Sequence, residues 1–344
     1  MLLPPPRTLD PMDAPPLRWG ILAPGNIAAD FAEALRHGTR QEVVAVGSRD
    51  MARARSFADR FGGTAYGSYE DLVADDRVDV VYVASPHSVH REHALLAITA
   101  GRHLLVEKAF TRNASEARQV FGAAHRHGVF CMEAMWSRFL PHYDVIRRAV
   151  AEGALGRLQT VVADHGQQLY PDGPERLSSP ELAGGALLDL GVYPVSFAAM
   201  LLPEVAAVAA VGQRTDQGVD AQESITLTGA EGELAVCTTT MTAQTANTAV
   251  VAGDRGRLEV ESWFYQPNAV RLVVDNVEID RFEPNGREHG LGFEAAEVAR
   301  CVAAQMTESP LLPWAETVRV MELMDEVRRQ LGVVFPGEAE GRAR

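Results

Sequence analysis

From residue 17 to about residue 132, short apolar runs alternate with amphipathic stretches of helical length, and this pattern sharply limits the possible folds. Residues 18–22, 42–47, 79–84, 103–106 and 129–132 read as strands. Residues 26–36, 51–61, 87–100 and 114–127 between them read as helices. The run Asp79-Val80-Val81-Tyr82-Val83-Ala84 is almost continuously apolar, as expected for a strand covered on both faces. Strand-helix alternation of this kind predicts a parallel sheet with right-handed crossovers, a doubly wound nucleotide-binding type of domain.

The pattern changes near Trp136. A helix at 143–151 and strands at 158–168 lead to an apolar, glycine-headed helix that runs from Gly184-Gly185 to about residue 202. Alternating segments follow at 205–212, 221–229, 233–241, 246–252, 256–262, 269–274 and 277–282. Turn signals such as Gly229-Ala230-Glu231-Gly232 separate them. Such sequential strands predict a mostly antiparallel meander with one face on helices and the other free to meet a partner. Helices at 293–306 and 315–331 close the chain. The expected architecture is an α/β Rossmann-type parallel-sheet domain at 17–137, then an α+β domain with a large, mostly antiparallel open sheet at 138–337. Residues 1–16, with six prolines, read as a mobile tail, and 338–344 as a second.

Composition narrows the function. In 344 residues, 46 acidic side chains against 32 basic ones give a net charge of −14, which disfavours nucleic acid or an anionic membrane as partner. Cys131, Cys237 and Cys301 are far apart and lack metal-ligand spacing, which suits a reducing compartment. Prolines occupy positions 4, 5 and 6, where a secretory signal would carry its apolar core. No uninterrupted apolar run approaches the ~18 residues of a membrane span. The reading is a cytoplasmic protein.

The first strand runs into Gly20-Ile21-Leu22-Ala23-Pro24-Gly25-Asn26-Ile27-Ala28, a degraded G-x-G-x-x-G. Small residues here let backbone amides at a helix N-terminus reach a pyrophosphate. Gly25 fills the central position, and Ala23 and Ala28 the outer two. The alternative is an ordinary strand-to-helix turn. The second strand ends in Ser48-Arg49 followed by Asp50, where NAD sites place an acid for the ribose 2′-hydroxyl. A hydroxyl and a guanidinium suit a 2′-phosphate instead. Asp50 is placed to cap the next helix. The expected cofactor is NADP(H), with NAD(H) the alternative; against this, Arg49 reads as a solvated residue.

Asp189 and Tyr193 stand four apart in Gly184-Gly185-Ala186-Leu187-Leu188-Asp189-Leu190-Gly191-Val192-Tyr193, a spacing that puts both on one helical face. Lys108 closes a later strand in Val106-Glu107-Lys108-Ala109-Phe110, at the strand end where parallel sheets bind ligands. Taken alone, it reads as a surface lysine. His87, His90 and His93 cluster at a helix start, with no cysteine or second histidine group at a zinc spacing, so no metal site is expected.

Together these segments resemble the glucose-fructose oxidoreductase/inositol dehydrogenase (Gfo/Idh/MocA) family over residues 17–337. The family's Glu-Lys-Pro is matched by Glu107-Lys108-Ala109, and its Thr-Pro-Asn-x-x-His by Ser85-Pro86-His87-x-x-His90. Many members carry Asp-x-x-x-His where this chain has Asp189-x-x-x-Tyr193. Tyrosine there, with Met132-Glu133-Ala134-Met135-Trp136-Ser137-Arg138-Phe139-Leu140-Pro141, resembles the dimeric dihydrodiol dehydrogenase and glucose-fructose oxidoreductase branches.

The resemblance implies two domains and hydride transfer between nicotinamide C4 and a carbon bearing hydroxyl or carbonyl. It also implies a homodimer or higher homo-oligomer through the second sheet. In this scheme Tyr193 moves the proton, Lys108 supports it electrostatically, and Asp189 orients the substrate or carries the proton itself. A free phenol titrates near ~10, and a nearby ammonium brings it closer to working pH. Ala23, Pro24, Gly25, Asn26, Ile27, Ser48, Arg49, Ser85, Pro86, His87, His90, Glu107 and Lys108 are the cofactor candidates.

Trp136, Phe139, His165 and Gln167 are the substrate candidates beside Asp189 and Tyr193, with Gln168 a further one. Arg138 is assigned either to substrate or to the cofactor's amide or phosphate, and Trp136 to both molecules. Packing at a domain boundary is the competing reading for Trp136, Arg138, Phe139 and His165. The expected substrate is a sugar, sugar derivative or cyclic trans-diol. The alternatives are a biosynthetic ketosugar reductase and a non-catalytic cofactor-binding sensor. Retention of Lys108, Asp189 and Tyr193 together argues against the sensor.

Overall fold

The computed structural model describes residues 2–284 and 290–338. In chain order the strands are β1 (Arg18–Leu22), β2 (Glu42–Gly47), β3 (Thr64–Tyr66), β4 (Val80–Val83), β5 (His103–Glu107), β6 (Cys131–Ala134), β7 (Leu158–Gly166), β8 (Val205–Arg214), β9 (Asp220–Gly229), β10 (Leu234–Thr240), β11 (Ala249–Gly253), β12 (Arg257–Val260), β13 (Val270–Val274) and β14 (Val277–Phe282). The helices are α1 (Asn26–Gly38), α2 (Met51–Phe61), α3 (Tyr69–Ala74), α4 (His90–Thr99), α5 (Ala114–His127), α6 (Pro141–Ala151), α7 (Glu175–Ser178), α8 (Val192–Leu201), α9 (Gly290–Ala303) and α10 (Trp314–Leu331).

The chain divides into two compact units, one of residues 9–139 and 290–321, the other of 2–8, 140–284 and 322–338. The first holds a six-stranded sheet in the order β3-β2-β1-β4-β5-β6, every pairing parallel. All four residues of β4 are buried, in keeping with a central strand between helical layers. The strand order reverses between β1 and β4, the place where doubly wound sheets bind ligands beyond their carboxyl ends. The returning helix α9 packs on α1, so this unit is not the contiguous 17–137 block that the chain's order suggests. β3 and α3, too short to show a period, are additions to the expected elements.

The second unit holds an eight-stranded sheet in the order β14-β13-β12-β11-β7-β10-β9-β8. Seven strands follow a meander in part, but β7 is inserted between β11 and β10 and pairs parallel with β10. The sheet is therefore mixed at one pairing rather than a simple run of sequential neighbours. Val162, Val211, Leu234, Val277 and Ile279 from its strands are exposed. Among the described residues one helical stretch, Pro180–Leu201, is long and apolar enough to cross a membrane. Of its most apolar window, 94% is buried inside the protein.

The expected mobile tail at the amino end is a correction. Leu3 N–H donates to Asp280 Oδ2 at 2.7 Å, and Arg7 N–H to Asp144 Oδ2 at 2.8 Å. Arg148 donates to the Pro5 carbonyl. Further on, Pro11–Asp13 form a 3-10 turn capped by Asp10, whose carbonyl accepts from Arg300 at 2.8 Å. Prolines leave this segment little backbone entropy to lose, so a few hydrogen bonds suffice to place it. Of the second expected tail, residues 339–344 lie outside the described residues.

Two carboxylates lie buried within the second unit on β9. Asp220 Oδ2 accepts the Leu187 N–H at 2.5 Å, whereas neither oxygen of Glu223 has a hydrogen-bond partner. Burial, with the Asp220 charge adding, pushes the Glu223 carboxyl well above the usual carboxylate range. The folded protein thus keeps a proton that the unfolded chain releases above pH ~4.3, and stability from this group falls as pH rises through that value. Glu223→Gln removes this linkage. Its melting temperature relative to the parent is expected to climb by about 3 °C or more from pH 5 to pH 8 in thermal unfolding. A difference that stays constant with pH would contradict the assignment.

Candidate active site

The candidate residues fall into two sets, one in each unit. In the first unit β1 ends in a turn where Ala23 takes a left-handed conformation (φ 66°), a backbone shape more usual for glycine. Its N–H donates to the Gly47 carbonyl at 3.1 Å, tying the turn to β2. Gly25 precedes α1 in extended conformation, and no side chain caps that helix. A Cβ at Gly25 would meet no protein atom within 4 Å. The amides of Asn26 and Ile27 thus begin a helix whose dipole and free N–H groups favour an anion.

At the end of β2, Ser48 is buried and its hydroxyl accepts from Asp50 N–H at 3.1 Å. The Asp50 carboxylate caps α2, accepting from Ala52 and Arg53 N–H at 2.9 and 3.4 Å. Arg49 is exposed and makes no hydrogen bond or ion pair with another described residue. An uncommitted guanidinium beside a committed carboxylate fits a 2′-phosphate. The residues present therefore fit a dinucleotide.

The turn after β5 is held almost entirely through its backbone. The Lys108–Ala109 peptide is cis. Glu107 is buried; it accepts from Lys108 N–H at 3.1 Å and from the Tyr82 hydroxyl. His87 Nε2 lies 3.1 Å from the Lys108 carbonyl. His90 Nδ1 lies 3.1 and 3.2 Å from the Ala109 and Phe110 carbonyls, and its Nε2 is 2.6 Å from the Ser85 carbonyl. Burial, with the nearby His87 charge adding, pushes His90 down to about 3, while the three backbone carbonyls pull the other way. His93 Nδ1 reaches Ser85 Oγ at 2.9 Å. The three histidines thus serve the segment Ser85-Pro86 and the Lys108 turn.

One sequence signal for this turn is arithmetic: the chain has 31 arginines and a single lysine, Lys108. Trp136, Arg138 and Phe139 share a 3-10 turn in the same unit. Trp136 is half-buried and Phe139 buried. Arg138, also buried, is engaged by Glu316, with both terminal nitrogens at 3.2 Å from Oε1.

In the second unit the expected continuous α-helix from Gly184 starts instead with a π-helical turn, Leu187–Gly191, before α8. Asp189 lies within the π turn and Tyr193 just beyond it, so the simple same-face argument from α-helical spacing does not transfer. Such turns recur at functional sites because they re-aim side chains. The glycine pair is required at its start. Gly185 has φ 116°, and a Cβ there would lie 2.3 Å from Asp220 Oδ1. At Gly184 it would lie 2.5 Å from the Arg176 and Leu177 carbonyls.

Asp189 is buried and paired with Arg176, at 2.9 Å from Nη1 to Oδ1. Tyr193 is buried beside two rings, Tyr265 with its centroid at 4.6 Å and His165 at 5.3 Å. His165 Nδ1 lies 3.1 Å from the Leu190 carbonyl, and its Nε2 lies 2.9 Å from Gln167 Nε2. Gln167 also reaches the Tyr265 hydroxyl at 3.4 Å. Gln168 is exposed and bonds the Tyr170 carbonyl, apart from this group.

Sequence reasoning missed Arg176 and Tyr265. Tyr265 sits in the loop Trp263-Phe264-Tyr265 after β12, held where His142 Nε2 meets the Phe264 carbonyl at 2.9 Å. Three successive aromatics in a turn were the available signal. Burial, with the Tyr193 phenol adding, raises the Tyr265 hydroxyl well above its ordinary range, so it stays protonated.

A parallel sheet with this strand order, and an uncapped helix start after β1 that fits a pyrophosphate, define a nucleotide-binding unit of the Rossmann class. A family model described as "Oxidoreductase family, NAD-binding Rossmann fold" matches residues 17–135, and one described as "GFO/IDH/MocA C-terminal domain" matches 143–259. The trans-1,2-dihydrobenzene-1,2-diol dehydrogenase of Danio rerio is 38% identical over 338 residues, covering 94% of this chain and 99% of its own. The D-xylose 1-dehydrogenase (NADP(+)) of Hypocrea jecorina is 35% identical, covering 93% of each. Among solved structures, the 3-ketoreductase KijD10 from Actinomadura kijaniata, with NADP and TDP-benzene, matches at TM-score 0.81 and 29% identity. That match covers 92% of this chain and 98% of the other. The chain belongs to the GFO/IDH/MocA family of oxidoreductases, with an NAD(P)-binding Rossmann domain.

Gly185→Ala is expected to destabilise the protein by about 2 kcal/mol or more. The new methyl both forces a strained backbone and clashes with the carboxylate that holds the start of the π turn. Denaturant unfolding measures this directly. A change below about 0.5 kcal/mol would show that the close approach to Asp220 is not required.

Proposed function

We propose that this protein is an NADP(H)-dependent dehydrogenase or reductase. Its substrate would be a sugar, a sugar derivative or a cyclic trans-diol, oxidised or formed at one carbinol carbon. The observation that carries the reading is the uncommitted Arg49 beside buried Ser48, with Asp50 already used as a helix cap. The relatives named for diol and xylose oxidation, the second with NADP(+), support the substrate class and the cofactor.

The bound dinucleotide supplies the hydride acceptor or donor at nicotinamide C4. Residues 23–27 hold its pyrophosphate, and Ser48 and Arg49 its 2′-phosphate. The segment Ser85-Pro86-His87, with His90 and Glu107, shapes the Lys108 turn. Tyr193 exchanges a proton with the substrate oxygen. Lys108 stabilises the negative charge that develops there, and Asp189, with Arg176, orients the hydroxyls. Trp136, Phe139, His165 and Gln167 offer aromatic surface and hydrogen bonds suited to a ring carrying hydroxyls. Arg138, tied to Glu316, acts by holding its turn.

A second reading, reduction of a nucleotide-linked ketosugar, draws on the likeness to KijD10. A cytoplasmic location, and a homodimer through the exposed face of the second sheet, complete the proposal. The exposed valines, leucine and isoleucine of that sheet support the dimer.

Aldoses, ketoses and trans-diols assayed with NADP⁺ and NAD⁺ test the reading. Turnover is expected with a sugar or diol and NADP⁺. Lys108→Ala and Tyr193→Phe should each lower kcat by about 100-fold or more, the scale of general acid-base catalysis. Near-normal turnover in both would discard the assignment. In fluorescence titration, Arg49→Ala should weaken NADPH binding by about 10- to 100-fold with little change for NADH. Equal loss for both cofactors, or tighter NADH binding by the parent, would contradict the 2′-phosphate reading.

A further inference from the structure

The Lys108 turn rests on buried carboxylates that the proposed chemistry does not touch. Glu133, on β6, is 3% exposed. Its Oε1 accepts from Phe110 N–H at 3.1 Å, two residues beyond Lys108, and its Oε2 accepts from Thr317 Oγ1 at 3.1 Å. Glu133 therefore bridges the turn to α10.

The groups facing Glu133 come from every neighbouring element. Glu107 lies on β5 and Arg138 on the 3-10 turn. Glu294 on α9 is buried, and neither of its oxygens is hydrogen-bonded. Burial pushes the Glu133 carboxyl up to about 7, and the Glu107 charge adds to this; Thr317, the Phe110 amide and Arg138 pull the other way. Burial, with the charges of Glu107 and Glu133 adding, holds the Glu294 carboxyl well above the usual carboxylate range. One bridging group thus changes charge near neutrality beside an acidic neighbour whose burial also favours its neutral form.

We propose that Glu133 is a positioning residue for Lys108, holding the turn through Phe110 and Thr317 and setting the ammonium differently in its two protonation states. As a carboxylate, Glu133 makes two charge-assisted hydrogen bonds, stronger than neutral ones. Protonated, it has one oxygen that is a poor acceptor, and one of the two bonds weakens. The turn is held more tightly above neutrality than below it. The consequence for turnover rests on the role proposed for Lys108, but the coupling itself does not.

The single lysine makes the test direct. Biosynthetic labelling with ¹³Cε-lysine gives the full chain one lysine side-chain resonance, and Lys108→Arg confirms it by its loss. In the parent, the resonance should pass through an inflection near pH 7, where Glu133 changes charge. Glu133→Gln should abolish that inflection. Thr317→Val removes a bond that favours the ionised form and should move it upward by roughly half to one pH unit.

An inflection that survives Glu133→Gln would arise from a group other than Glu133 and would overturn the proposal. So would a parent spectrum with no inflection. If Glu133→Gln does not fold, Thr317→Val decides alone, and an unmoved inflection counts against the coupling. Loss of turnover in Lys108→Ala bears on the catalytic reading separately, so failure of one inference is distinguishable from failure of the other.

Discussion

The arrangement of the nucleotide-binding unit depends on satisfying the backbone of one turn, Glu107 to Phe110. Lys108 N–H, Lys108 C=O, Ala109 C=O, Phe110 C=O and Phe110 N–H all meet side chains, namely Glu107, His87, His90 and Glu133. A buried peptide group left without a partner costs about 1–3 kcal/mol, so five such groups cannot be left unmatched. Meeting them requires carboxylates and imidazoles in the interior, where burial is the largest cause that pushes His90 down and Glu133 up. The outcome is a single ammonium carried on a turn with little freedom to move.

The other unit solves a similar problem with a different device. The π turn that carries Asp189 begins where Asp220 accepts the Leu187 N–H, and it is packed so closely that residues 184 and 185 tolerate no side chain. Arg176 fixes Asp189 from one side, while Tyr265 and His165 flank Tyr193. Both units therefore use buried polar groups to satisfy and fix local backbone. This pattern is expected where side chains must be held to fractions of an ångström.

Long, strongly periodic segments were the most legible. β1, β2, α2, α5 and β14 have the bounds their apolar patterns imply, and β4 is buried on both faces as its unbroken apolar run suggests. What stayed hidden is non-local. The insertion of β7 between β11 and β10 is a matter of which strands pair, and strand periodicity carries no such information. The return of α9 to the first unit is hidden for the same reason.

The placed amino-terminal segment depends on Asp144 and Asp280, far away in the chain. In the candidate site, Asp189 and Tyr193 stood out as polar residues in an apolar helical run, and Lys108 through its strand-end position and the motif resemblance. Arg176 did not, because a lone arginine in a loop has no period to break, and Tyr265 was signalled only by the aromatic run Trp263-Phe264-Tyr265. The π turn replaced an expected regular helix because Gly184-Gly185 and Asp220 fix its entry.

On the proposed function, proton transfer and charge stabilisation would come from separately anchored groups, and the cofactor would exchange a hydride directly with the substrate. The most direct measurement uses a sugar or trans-diol substrate deuterated at the carbinol carbon, with NADP⁺, followed by NMR of the reduced cofactor. The account predicts one deuterium at nicotinamide C4 for each substrate oxidised. Reduced cofactor that carries only hydrogen at C4 would contradict it.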